Sequence, residues 1–218
     1  MGIFFIKRCV LCSKMLDSNY PDWLCEDCAE TIASYSCKQI NPIHGADDAV
    51  AALYYSGTVK NAMCAFKFRN KKQYAAWFAE KMYAALTPHL SDWLLDLITF
   101  APIGWLRYRE RGYNQAELLA GHIAKFTNVP CQAVLKKRAF IARQSGQKDA
   151  ISRRKNAENA FSPKKNISLE GKSILFIDDI ITTGATASAA VQILRQMGAS
   201  HVYVLAATHT PPLSRRDT

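Results

Sequence analysis

A chain of 218 residues with 49% hydrophobic content can bury a full α/β core in one main domain. Its formal charge of +10 points to an anionic partner, either a polyphosphate metabolite or nucleic acid. No apolar run approaches the ~18 residues of a membrane span, and Met1–Ile6 is too short for a signal peptide and precedes its basic residues, so a soluble, cytoplasmic protein is expected.

The first feature along the chain is a pair of CxxC knuckles, Cys9-x2-Cys12 and Cys25-x2-Cys28, separated by twelve residues. Paired knuckles of this kind supply the four thiolates of a tetrahedral zinc site. The apolar material between them is Met15, Leu16, Tyr20, Trp23 and Leu24, too little for a core, so metal would carry most of the local stability. Redox CxxC pairs are the alternative, but a thioredoxin-like βαβ pattern is missing around them. Disulfides are disfavoured without a signal peptide, and Cys37 is an alternative ligand. Cys37, Cys64 and Cys131 are left over, an odd number that fits a reducing compartment. These observations divide the chain into a zinc ribbon over 1–40 and a larger domain over 45–218.

Residues 49–55 read as a strand, Ser56-Gly57 as a turn, and 58–69 as a helix carrying Lys67 and Arg69. Tyr74, Trp77, Phe78, Met82 and Leu86 recur at helical spacing, so 73–87 is a core-facing helix ended near Pro88. Residues 97–101 are a buried strand leading through Pro102 into a loop with Gly104, Trp105, Arg107, Tyr108, Arg109, Arg111 and Tyr113. Asn114 with Glu117 predicts a capping box and a helix to about Phe126. A short strand at 131–135 is followed by a basic loop over 136–168. Strand 173–177, helix 185–197 ending before Gly198, and strand 201–207 complete the run. Alternating β and α elements predict a parallel sheet with helices on both faces and ligands at the carboxyl ends of its strands. His44, His89, His122, His201 and His209 show no ligand spacing and read as core or surface residues.

The apolar strand Ser173–Ile177 runs into Asp178 and Asp179, then Thr182, Thr183, Gly184, Ala185 and Thr186 at the start of a helix. Backbone N–H groups and hydroxyls at a helix N-terminus make a phosphate cradle. The carboxylates cannot bind phosphate themselves; they suit sugar hydroxyls or a hydrated Mg²⁺.

This segment resembles the 5-phosphoribosyl-1-pyrophosphate (PRPP) signature of type I phosphoribosyltransferases. Together with the cysteine knuckles, the run Arg107–Ala120 and the trio Arg153, Asn156 and Ala160-Phe161, it resembles the ComF family of competence-associated, phosphoribosyltransferase-like proteins. The resemblance covers nearly the whole chain and departs from the family's pattern between Gln144 and Ser152, where Gln147-Lys148 is polar. It implies a type I phosphoribosyltransferase-like sheet in which Asp178 and Asp179 hold the ribose hydroxyls and act as the catalytic pair. Thr182, Thr183, Gly184, Ala185 and Thr186 would take the 5′-phosphate, and Arg107 and Arg109 the pyrophosphate, with Mg²⁺ accompanying PRPP. Arg143, Lys148 and Arg153 would reach the pyrophosphate from a closing loop over 140–160. It also implies a role in DNA uptake during natural transformation, with other competence or DNA-translocation proteins as partners. The alternative is an active Mg²⁺-dependent phosphoribosyltransferase on an unidentified acceptor.

Charge is unevenly divided, −3 over residues 1–48 and +13 over 49–218. Ten Lys/Arg stand against Asp149 and Glu158 in 136–165. Lys148, Arg153, Arg154 and Lys155 in that run are the candidate contacts to single-stranded DNA, with Trp105, Tyr108, Tyr113 and Phe140 as stacking or core aromatics.

Overall fold

The computed structural model describes residues 7–17, 20, 22–37, 40–138 and 160–211. After the cysteine knuckles come α1 (Glu26–Thr31), a 3-10 turn and β1 (Asp48–Tyr54). Helices α2 (Gly57–Phe68), α3 (Tyr74–Leu86) and the short α4 (Leu90–Trp93) lead to β2 (Leu97–Phe100). Helices α5 (Trp105–Arg111) and α6 (Gln115–Thr127) precede two short strands, β3 (Leu135–Lys137) and β4 (Phe161–Pro163). The chain then forms β5 (Ser173–Ile181), α7 (Ala185–Gln196) and β6 (His201–His209).

The main sheet has the order β1-β6-β5-β2 and every pairing in it is parallel. Helices α3 and α6 pack on one another and over the sheet, while α7 lies across β5 and β6 on the other face. This double cover is why Ile174, Leu175, Phe176 and Ile177 form an unbroken apolar run in β5, and all four are fully buried. The expected architecture, a parallel sheet flanked by helices, is the one observed.

Several elements differ from expectation. Of the strand expected at 131–135, residues 131–134 make a single bridge, Cys131 to Ile98, and Leu135 begins a different strand. Pro130 lends its carbonyl to Ile98 at 2.8 Å but has no N–H to extend a ladder. The ordered strand is Leu135–Lys137, paired antiparallel with Phe161–Pro163 in a separate two-stranded ribbon. That ribbon bounds part of the expected basic loop; residues 139–159, with Phe140, Arg143, Lys148, Arg153, Arg154, Lys155 and Asn156, lie outside the described residues.

The loop expected after β2 is a helix. Its glycines sit at the two ends, Gly104 as N-cap and Gly112 as a left-handed C-cap at φ 72°, and the residues between are sound helix formers. The cap of α6 is made by Asn114 alone among the described residues: Oδ1 accepts from the Ala116 N–H at 3.1 Å, and its amide donates to the Ala101 carbonyl at 2.9 Å. Both β5 and β6 also outrun their expected ends, because Ile180 and Ile181 find register partners in Thr208 and His209. The buried His209 uses Nδ1 against the Ile181 carbonyl at 3.1 Å; since a carbonyl only accepts, Nδ1 carries the proton.

The cysteine segment packs onto this frame. Val10 donates to the Trp23 carbonyl at 3.0 Å, and Val10, Leu11 and Leu24 are buried in the same apolar cluster as the sheet residues. Trp23 Nε1 donates to Glu80 of α3 at 3.1 Å. Farther on, Ser36 bridges to Leu53 and the Cys37 N–H donates to the Ala52 carbonyl at 3.0 Å, covering an edge of β1 that would otherwise invite pairing. No helix among the described residues is long and apolar enough to cross a membrane.

Phe176 lies at the centre of β5 with no solvent exposure. Phe176→Ala should cost about 3–5 kcal/mol of stability, and chemical denaturation reads the loss as a lower midpoint with an unchanged slope.

Candidate functional site

Successive residues of a strand point to opposite faces, so two adjacent carboxylates can serve one site only where the sheet ends. Asp178 and Asp179 stand near the carboxyl end of β5, where the covering helices give way to open clefts. Asp179 is salt-bridged to Lys67, at the end of α2, at 2.9 Å, with both side chains about five-sixths buried. Asp178 is only 8% exposed and accepts the Asp179 N–H at 2.8 Å. Its pKa is pushed up to about 7, first by desolvation and then by the neighbouring Asp179 charge, against the pull of the Asp179 N–H, Lys67 and Lys137. The pair thus sets one carboxylate against the Lys67 ammonium and a second poised to lose its proton near neutrality.

Beyond the pair, the turn 182–186 leads into α7. Thr182, Thr183 and Thr186 are exposed, while Gly184 is buried and left-handed at φ 78°. A Cβ at Gly184 would come 2.7 Å from Ile43 Cδ1, so both the backbone angle and the space require glycine. Thr183 Oγ1 accepts from the Ala185 N–H at 3.5 Å. Together Asp178, Ile180, Thr182, Gly184 and Thr186 line a small hollow at the N-terminus of α7, where free backbone donors and the helix dipole favour an anion.

A wider cleft of about 710 Å³ adjoins this hollow. Asp178, Asp179 and Thr186 form one side, with Lys67, Arg107, Arg111, Lys137 and Arg138 around the remainder. Partial desolvation and the nearby Arg107 lower the Lys137 pKa, while Asp178 opposes them. A strip of cations therefore faces a carboxylate pair across one cleft, an arrangement suited to a ligand carrying hydroxyls at one end and phosphate at the other.

The expected residues are only partly brought together. Asp178, Asp179, Thr186 and Arg107 share the wide cleft. Arg109 instead lines a neighbouring cleft, with its guanidinium 4.8 Å above the Trp105 ring. Tyr113 is core, its hydroxyl donating to the Phe66 carbonyl, whereas Trp105 and Tyr108 are exposed. Lys67 and Lys137 were legible only as an ordinary helix residue and one of ten basic residues in 136–165; neither position carries a local signal of its place beside the acidic pair.

At the other end of the chain, one sulfur from each of Cys9, Cys12, Cys25 and Cys28 lies within 4.8 Å of the others. Cys12 Sγ and Cys25 Sγ are 3.6 Å apart, close to the ~3.8 Å that two sulfurs keep around a tetrahedral ion with 2.3 Å bonds. Burial raises the Cys9 pKa, but N–H groups of Cys12, Cys25 and Leu11 directed at its sulfur outweigh this and bring it down to about 7. Cys25 begins α1 and Cys28 sits in its first turn. The donor set and spacing fit a four-thiolate metal centre; Cys37 is not a member of the cluster.

No family model matches the chain. Competence protein F of Haemophilus influenzae is 28% identical over 92% of this chain and 96% of its own length. Competence protein ComFC of Bacillus subtilis is 30% identical over 66% of this chain, and DNA utilization protein YhgH of Escherichia coli K12 is 31% identical over 57%. The chain spans about half the length of these last two, 56% and 53%. Among solved structures, the allosteric regulatory enzyme of purine biosynthesis matches with a TM-score of 0.44 and 20% identity, over 66% of this chain and 30% of that one. A hypoxanthine phosphoribosyltransferase from Staphylococcus aureus matches with a TM-score of 0.40 and 13% identity, over 67% and 68%. With a competence protein aligned along nearly its full length and the cysteine knuckles and acid–threonine turn in place, the chain is similar to the ComF family of competence proteins.

Proposed function

We propose that the chain binds PRPP with Mg²⁺ at the carboxyl edge of its sheet and acts in DNA uptake, contacting single-stranded DNA through its basic face. The observation that carries the PRPP reading is the meeting, around one cleft, of a carboxylate pair, a helix-N-terminal Thr/Gly turn and a row of cations. Asp178 and Asp179 accept hydrogen bonds from the ribose hydroxyls, and Thr182, Thr183, Gly184, Ala185 and Thr186 wrap the 5′-phosphate. Arg107 and Lys137 face the pyrophosphate, with Arg111 beside them. Mg²⁺ neutralises pyrophosphate charge when bound. Lys67 holds Asp179 in orientation through their 2.9 Å ion pair. The DNA role draws on the relatives named for competence and DNA utilization and on the basic excess of 49–218. Zinc is the ion that the four-cysteine cluster suits, because tetrahedral thiolate sites with no redox demand are its usual setting.

Calorimetric titration with Mg²⁺–PRPP tests the first part. Asp178→Asn and Asp179→Asn should each weaken binding by about 1–3 kcal/mol with the fold intact. Because the Asp178 pKa is raised to about 7, its carboxylate form grows as pH rises from 6 to 8, so wild-type affinity should climb over that window. The Asp178→Asn variant should climb less, keeping only the titration of the ligand's own phosphate. Absence of PRPP binding by the wild type would sink the ligand assignment.

For the metal, purified protein should contain about one equivalent of zinc. Cys25→Ser should lose it and loosen the packing of residues 7–35, seen as new proteolytic cutting there. Retention of full zinc by a Cys9→Ser/Cys25→Ser double variant would refute the four-ligand site.

For the nucleic acid, single-strand affinity should fall with salt by about 0.7 log units per log[salt] for each phosphate contacted. Reversing Arg153, Arg154 and Lys155 to Glu should flatten that slope by about 2. An unchanged slope would remove this segment from the DNA contact.

A further inference from the structure

A second cleft, of about 540 Å³, lies between the turn that follows α2 and the C-terminal half of α5. It falls within the ~300–1,000 Å³ range of small-ligand sites. Lys67, Arg69, Lys72, Arg109 and Arg111 line it against a single carboxylate, Glu110. Among the described residues only Lys67 of these five is ion-paired, and its partner Asp179 belongs to the other cleft. One or two cations at helix C-termini are ordinary dipole partners. Four unpaired cations around one hollow repel each other, and an incoming anion relieves that repulsion.

The cleft also has aromatic surface in Phe68, which is 67% exposed with the Arg111 guanidinium 4.8 Å over one face. Outside the lining, the exposed Trp105 carries the Arg109 guanidinium at the same distance. Arg111 is fixed further by donating to the buried Gln115 Oε1 at 3.0 Å. It lines both clefts, so its remaining N–H groups are held ready between them. Oriented guanidiniums beside open aromatic faces match a ligand that joins a phosphate to a flat ring.

We propose that this cleft is a nucleotide site: Arg69, Lys72 and Arg109 hold the phosphate, and a base stacks on Phe68. The nucleotide is either free or one unit of a single strand, which deepens the nucleic-acid reading above and is independent of the PRPP assignment. It places a nucleotide contact outside the 136–165 basic run.

The test uses the full zinc-loaded chain, saturated with Mg²⁺–PRPP or without it, and titrates in deoxyadenylate, inorganic phosphate and an oligo-dT single strand. Deoxyadenylate should bind with PRPP present. Arg69→Glu/Lys72→Glu should weaken it at least tenfold while leaving PRPP affinity unchanged, and Arg69→Lys/Lys72→Arg should restore most of it. Phe68→Ala should weaken deoxyadenylate several-fold and leave inorganic phosphate unaffected, a split that a merely structural phenylalanine would not produce. Thermal melting checks that each variant is folded. If only the oligonucleotide binds, sensitivity to both sets of variants identifies the strand as the source and supports the site. Nucleotide displaced one-for-one by PRPP and indifferent to Arg69→Glu/Lys72→Glu overturns it. Single-strand binding lost on reversing Arg153, Arg154 and Lys155 but untouched by the cleft variants overturns this site alone and leaves the DNA reading standing. PRPP failure with nucleotide binding intact overturns the other.

Discussion

Two adjacent carboxylates near the end of a buried strand repel one another and lose hydration, and the rest of the site is arranged around that cost. Lys67 meets Asp179 from the end of α2, and the β3–β4 ribbon brings Lys137 close enough to act on Asp178. Both cations pull the Asp178 pKa down, against the burial and the Asp179 charge that raise it. With them, one carboxylate has an ammonium partner at 2.9 Å and the other sits near its titration point. Charge balance within the cleft thus depends on elements far apart in sequence, at positions 67, 137 and 178.

Much of this was legible in the chain. The continuous apolar run of β5, the acid pair after it and the small residues opening α7 specify strand, turn and helix through local chemistry alone. The cysteine spacing likewise foretold a cluster that the fold closes to within a few ångströms. Helix α5 was misread because arginine and glycine resemble a loop when counted together; position decides, since both glycines are caps. The strand expected at 131–135 is only touched by the sheet, through one bridge to Ile98, before Leu135 turns to pair with Pro163.

Cation placement was the part the sequence withheld. Ten basic residues in 136–165 drew attention to that run, yet those lining the two clefts come mainly from the end of α2, from α5 and from the first turn of the ribbon. Burial and helix phase decide which lysine or arginine faces a ligand, and neither is visible in a charge count. Lys67 shows this most clearly: its surroundings, Phe66 buried and Phe68 exposed, give only the helix phase.

The close approach of Ile43 to Gly184 joins two regions that the sequence keeps 141 positions apart. Ile43 belongs to the stretch running from the cysteine unit to β1, and it fills the space where any larger residue at 184 would project. Gly45 extends this seam, since a Cβ there would meet Val191 of α7 at 3.3 Å. The two positions are consequently coupled twice over: at φ 78° a side chain at 184 is strained whatever the space, and Ile43 closes the space as well. The stretch that follows the cysteine unit therefore also fixes the turn before α7, a link set by packing rather than by shared chemistry.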